Sequence, residues 1–273
     1  QAKRIKGGNM ADITSRQQGE VEDSGQVNWR GDQVSVPQGG QSIYKSSSVQ
    51  LADLGSRKVV GDRVFRYAKC GASTAPAAGE LVESQGEIIT AVTGASTAGA
   101  AGGKTFYFYG ATAVSANTYA EGYLMCESGT AGNTGFTYKI KSHAAISSAG
   151  TGALTLYDPL VKAEDVTDKY QIIQNPYVNV CKQTAGNNHL CVGVAPIAVT
   201  TGDYFWIQTW GPCGLKSGAV TAAGETLVPA ATGEVLSWIS TASAAIKSTQ
   251  VVGYSMAVIT ASCKGMAFLT IAP

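Results

Sequence analysis

Histidine is nearly missing from this chain. Only His143 and His189 occur in 273 residues. General-base catalysis leans on histidine, and a metal centre gathers several convergent ligands. No GxSxG nucleophile elbow is present either, so no catalytic role is expected. Charge is also scarce, at 14% Asp, Glu, Lys and Arg, against about 25% in an average domain. Exposed helix faces normally carry Glu and Lys, and no long 3.6-residue periodicity is sustained, so a helical enzyme is disfavoured. No stretch reaches the roughly 18 apolar residues of a membrane-spanning helix. The first residues are polar and show no apolar signal segment.

Cysteine is present six times, at 70, 126, 181, 191, 213 and 263, but never as CxxC or at zinc-ligand spacing. Buried reduced thiols packed as small apolar residues are the expected state. One or two disulfides stay open, with Cys181 and Cys191 the nearest pair. No cofactor is expected.

What the chain does have is Ala, Gly, Ser and Thr in abundance, with 33 glycines. Net charge is +1, unevenly spread. Residues 1–70 hold eleven Lys/Arg against seven Asp/Glu, and residues 71–273 hold nine against twelve. The start is mildly basic and the remainder mildly acidic, too weakly for nucleic-acid binding, which needs a clear basic patch.

Residues 1–50 read as an extended arm, rich in Gly, Gln and Ser and too poor in large apolar residues to fold alone. Trp29, Ile43 and Tyr44 lie within it, and such residues suit a segment that orders against a partner. Met10 is a candidate genetic start.

Residues 51–273 read as a β-rich body, divisible into 51–157 and 158–273. KVVGDRVFRY (58–67) predicts a hairpin turning at Gly61-Asp62. TFYFY (105–109), YAEGYLMC (119–126), FTYKIK (136–141) and YFWIQTW (204–210) are strand formers. Gly211-Pro212 predicts a turn after the last of these. Pro196 interrupts CVGVAPIAV (191–199) and favours an edge or bulge there. Strand signals recurring every 8–15 residues favour an all-β sandwich, jelly roll or open barrel.

Four groups of residues invite chemical readings. AGAAGGKT (98–105) matches a relaxed phosphate-loop pattern, but a strand-forming run follows where a helix is required, so it reads as a surface turn beside Lys104. His189 near Cys181 and Cys191 makes a small metal cluster conceivable, though a polar loop histidine is the plainer reading. Glu164, Asp165 and Asp168 lack the spacing of a calcium loop and read as a solvated helix start. Trp206 and Trp210, four apart on a strand, would share one face, either as core or as an intersubunit contact.

Two stretches, LGSRKVVGDRVFRYAKCG (54–71) and GDYFWIQTWG (202–211), resemble virion structural proteins of tailed bacteriophages, which carry a "GdRvFrYakaG" hairpin and a late "GDYgWvQtwG" strand. Cys70 and Phe205 depart from the pattern, each standing where a small residue is usual. The resemblance covers about 28 residues, since the rest matches only in style. It implies a capsid decoration or cement protein that binds the major capsid protein on the outer surface of a virion assembled in the host cytoplasm. It would bridge neighbouring capsomers, itself a dimer or trimer, with Trp29, Ile43, Tyr44, Trp206 and Trp210 as partner-binding residues. A head fibre, a tail-associated part, the major capsid protein, or a host- or carbohydrate-binding β module are the alternatives. An arm of about 50 residues could span up to about 165 Å when fully extended.

Overall fold

The computed structural model describes residues 41–86, 88–93, 99–110, 112–129, 134–165, 167–184, 189–239 and 250–273. Among these there is no α-helix, and the single helical turn is a 3₁₀ segment, Ala231–Gly233. The all-β expectation holds. Two compact units make up the chain. Asn179–Pro273 joins the chain through Ser84 in one unit, and Gln85–Val178 is inserted into it as the other. The division therefore falls within the chain as an insertion and not at residue 157.

The first unit is one antiparallel sheet. Its strands are β1 (Arg57–Val60), β2 (Arg63–Lys69) and β3 (Leu81–Ser84), then, after the insertion, β10 (Val180–Lys182), β11 (Cys191–Val194), β12 (Tyr204–Lys216), β13 (Thr226–Pro229), β14 (Val235–Ser237), β15 (Gly253–Ser255) and β16 (Lys264–Thr270). They run in the order β10-β3-β11-β12-β16-β15-β13-β14, with β2 also paired to β12 and β1 to β2. The sheet curls until its two ends meet. Gly233 N, just before β14, donates to Gln183 O, just after β10, at 2.9 Å. Lys182 and Lys216 both reach the buried Glu80, at 3.2 and 3.8 Å. Inside the roll pack Leu81, Val194, Cys213, Leu215, Leu227, Val235 and Leu269.

The hairpin of β1 and β2 turns at Gly61-Asp62 as expected, with Gly61 at φ +62. That is the conformation glycine supplies at the first position of a two-residue loop. Gly211-Pro212, by contrast, makes no turn, and β12 continues through it. A bulge between Gln208 and Trp210 takes up the distortion. The buried Gln208 side chain braces the bend, donating to Trp210 O at 3.1 Å and to Pro212 O at 2.7 Å.

The inserted unit is a six-stranded antiparallel sheet. Its strands are β4 (Ile88–Thr93), β5 (Thr105–Gly110), β6 (Tyr123–Ser128), β7 (Thr137–His143), β8 (Gly150–Leu156) and β9 (Lys169–Ile173), in the order β4-β9-β6-β7-β8-β5. Period-2 alternation decides its core. In β5, Phe106 and Phe108 point inward while Tyr107 and Tyr109 point out. Phe106 on the end strand β5 meets Tyr170 on β9 edge-to-face, ring centroids 4.6 Å apart, so this sheet also curls over its own core, in the manner of an open barrel. Each such buried ring contributes about 1.5–3 kcal/mol.

Candidate functional site: the leader clamp

Residues 41–50, read from composition as part of the arm, lie on the body. Only residues 1–40 of the expected arm fall outside the described residues, Trp29 among them. Gln41, the first described residue, is buried and fully engaged. Its side-chain Nε2 donates to Lys45 O at 2.7 Å and to Tyr204 O at 2.8 Å, and its Oε1 accepts the Tyr67 hydroxyl at 2.7 Å. Its backbone carbonyl accepts from Lys58 Nζ at 3.0 Å and from the Trp206 indole N–H at 3.1 Å. The Tyr67 hydroxyl also accepts from Leu51 N, and Ser47 forms a two-way backbone bridge with Tyr204. A buried polar group must be satisfied or it costs about 1–3 kcal/mol. Here one glutamine joins three strands and its own turn together.

Lys58 is the unusual member. It is 0% exposed, and among the described residues no carboxylate pairs with it in an ion pair. Among the described residues its ammonium meets the Gln41 carbonyl and the face of Trp206, 5.1 Å from the ring centroid. Burial pushes its pKa down from 10.5 to about 8, since desolvation disfavours the charged form.

The structure revises the expected partner-binding residues. Ile43 and Trp206 are buried within their own chain, so neither is available to a partner. Trp206 packs on Tyr67 with ring centroids 4.9 Å apart. Tyr44 is 58% exposed and its hydroxyl accepts from Arg63 at 3.2 Å. Trp210 is half-buried and meets Phe268 edge-on at 5.7 Å. The two tryptophans do not share a face. Trp206 pairs with Tyr67 and Trp210 with Val64, three residues along β2 and hence on opposite faces, because the bulge at Thr209 shifts the phase of β12.

The other reactive side chains are structural. Cys70, Cys126, Cys181, Cys191 and Cys213 are free and buried, as expected, and Cys263 is exposed. Burial pushes Cys181, Cys191 and Cys213 up to about 12, which removes thiolate character. Cys181 and Cys191 both pair with Glu83, on opposite sides of β3. That places them two strand spacings apart, about 9.6 Å, beyond the roughly 7 Å a disulfide can bridge. His143 is buried at the end of β7. Its Nε2 accepts Tyr119 N at 3.0 Å and its Nδ1 donates to Ala144 O at 2.8 Å. His189 is exposed. Among the described residues no group of three or more His, Cys, Asp or Glu side chains is placed to hold a metal.

The acidic group at 164–168 is not a solvated helix start. No helix forms there, Glu164 and Asp168 are buried, and only Asp165 faces solvent, bonded to Thr167. Glu164 receives the backbone N–H groups of Gly99 and Tyr107, the latter at 2.8 Å. It staples the glycine-rich turn to β5 beside a cavity of about 10 Å³ lined by Phe106, Cys126, Tyr138 and Tyr170, about one water in size. Burial pushes the carboxyl up from 4.5 to about 7, against those two N–H bonds. The 99–104 segment is a turn leading into a strand, and Lys104 Nζ donates to Tyr157 O at 2.7 Å.

Sequence reading missed Gln41 and Lys58. A signal for Lys58 existed, because it stands opposite Phe65 across the hairpin, on the inward phase. No family model, curated protein or solved structure matches this chain.

Proposed function

We propose that the chain is a virion structural protein that decorates the outer surface of a tailed-phage capsid and strengthens it by bridging neighbouring capsomers. One observation carries the reading. The two stretches that resemble phage virion proteins lie far apart in sequence, yet they pair as β2 and β12, in register from Tyr204↔Lys69 to Gln208↔Phe65 and again, past the bulge, at Trp210↔Val64. Between them they supply Lys58, Tyr67, Tyr204 and Trp206, the side of the clamp that grips Gln41. The resembling residues thus do one job: they hold Gln41, the residue that follows the segment 1–40, on the body. A bridge under load needs such a fixed root, because a strap anchored in a loose loop transmits no force. Repetition over a shell makes modest single contacts effective through avidity.

The test is co-sedimentation of purified shells with the full chain and with residues 41–273. Removal of 1–40 is expected to leave the unfolding midpoint unchanged and to abolish binding. Equal binding by both refutes the strap. Hundreds of copies per particle fit decoration, and a dozen or fewer fit a tail-associated part.

A glycan-binding module is the second reading, favoured by one cluster on the inserted unit. Tyr123 and Tyr157 are exposed on either side of Lys139, which pairs with Glu121 at 2.8 Å and lies 5.7 Å from the Tyr157 ring. A glycan screen that returns a ligand lost in Tyr157→Ala would favour it over decoration.

A further inference from the structure

The outer face of β12, β16 and β15 carries a row of apolar side chains. Alternation turns Ala267 and Leu269 of β16 into the core and Met266 and Phe268 outward. Pro212, Phe268 and Tyr254 stand directly opposite one another across the three strands, and Trp210 closes the row against Phe268. Tyr254 is 47% exposed and Met266 46%. The apolar surface continues over Met256, whose backbone N–H bonds to Met266 O, and over exposed Val258. Among the described residues of these three strands, charge on this face enters at one end, where Lys216, paired with Glu234 and Glu80, faces Lys264.

β12 and β16 at about 4.8 Å spacing, followed over six rises of about 3.4 Å, with the three-residue β15 beside them, cover roughly 240 Å². That suits the apolar centre of a standard interface of about 800 Å² per partner. A face with no charge pattern gives little discrimination for a distinct partner, whereas contacts between identical chains are the more apolar kind. The face also carries both halves of a fit. Met266 projects from it, and Gly214, its direct cross-strand partner, leaves open space where a side chain would stand. An isologous two-fold contact requires that one patch present both knob and hole, since residue i meets j while j meets i.

We propose that this face is a self-association surface, on which a second copy of the chain packs sheet against sheet with Met266 of each copy entering the gap at Gly214 of the other. The surface is independent of the leader clamp, so it can fail while the decoration reading stands.

The test is light scattering and sedimentation of the full chain from about 1 to 100 µM. A concentration-dependent oligomer is expected. Tyr254→Arg combined with Met266→Arg should weaken it by at least about tenfold. Gly214→Leu, which fills the hole at a position where a Cβ meets no atom within 4 Å, should do the same with an unchanged unfolding midpoint. A full chain that is monomeric throughout overturns the proposal, as does an oligomer indifferent to these variants. So does an oligomer that dissolves only when residues 1–40 are removed, since that assigns association to the leader. Shell binding by the same variants, measured alongside, reports on decoration separately.

Discussion

Lys58 offers the sharpest test of the clamp. Replacing it with Met keeps a long flexible side chain and removes the buried charge. The folded-state pKa of about 8 lies below the unfolded value of 10.5, so the charged form is disfavoured by folding. The sign follows directly. Below pH 8 the folded state bears the full penalty, and the penalty fades as pH rises from 8 toward 10.5. Linkage puts it at about 3 kcal/mol at pH 7, about 2 at pH 9 and under about 1 at pH 10. Absolute stability will not show this cleanly. The buried cysteines have raised pKa values, so ionisation of the unfolded thiols destabilises the fold above about pH 9. Those contributions cancel in the difference between Lys58→Met and the parent chain. Urea unfolding of both at pH 7, 9 and 10 should show that difference shifting by about 2 kcal/mol against the variant as pH rises. Parallel stability curves would refute a desolvated amine at this position.

Three further outcomes follow from the geometry. Glu164 has a raised folded pKa, so its contribution is fully present below pH 4.5 and lost as pH rises through 7; the parent chain, compared with Glu164→Gln by thermal melts, should lose about 2 kcal/mol between pH 5 and pH 8. Gly211 sits at φ +85, and a Cβ there would lie 2.4 Å from Asp62 O, so Gly211→Ala should cost about 3 kcal/mol or prevent folding, read by soluble yield and melting temperature. Alkylation followed by mass spectrometry should find Cys263 modified in the native chain and the five buried thiols only after denaturation.

Local patterns were legible in the sequence wherever local rules act alone. The Gly61-Asp62 turn and the alternation of TFYFY both depend on neighbours a few residues away, and both appear as read. The misreadings concern distant partners. Nothing near Glu164 reveals that Gly99 and Tyr107 will fold over it, so the residue looked like an ordinary exposed acid. Trp206 and Trp210 seemed to share a face because spacing on a strand assumes no bulge, and the bulge is set by β2 across the sheet. Gly211-Pro212 signalled a turn that the Gln208 side chain converts into a bend within one strand. Ile43 looked like an arm residue because composition cannot tell a segment with no core from one whose core lies on β2 and β12, well over a hundred residues away in the second case.

The insertion itself makes a prediction about how the two units depend on each other for folding. The chain leaves the first unit at the end of β3 and returns at the start of β10, and those strands are paired with Ser84 directly opposite Val180. Two residues in that relation are what a two-residue hairpin loop connects. Residues 85–179 should therefore be replaceable by Asn-Gly, which converts β3 and β10 into an ordinary hairpin without altering the register of either. The loop-closure cost falls with the shorter connection, though only as the logarithm of its length. The inserted sheet closes over its own aromatic core, so neither unit needs the other to bury its central strands. The shortened chain should keep Cys181, Cys191 and Cys213 protected from alkylation and should unfold in one transition. If those thiols react at the rate of an unfolded chain, the curled sheet of the first unit depends on the inserted one, and the two units are a single folding body.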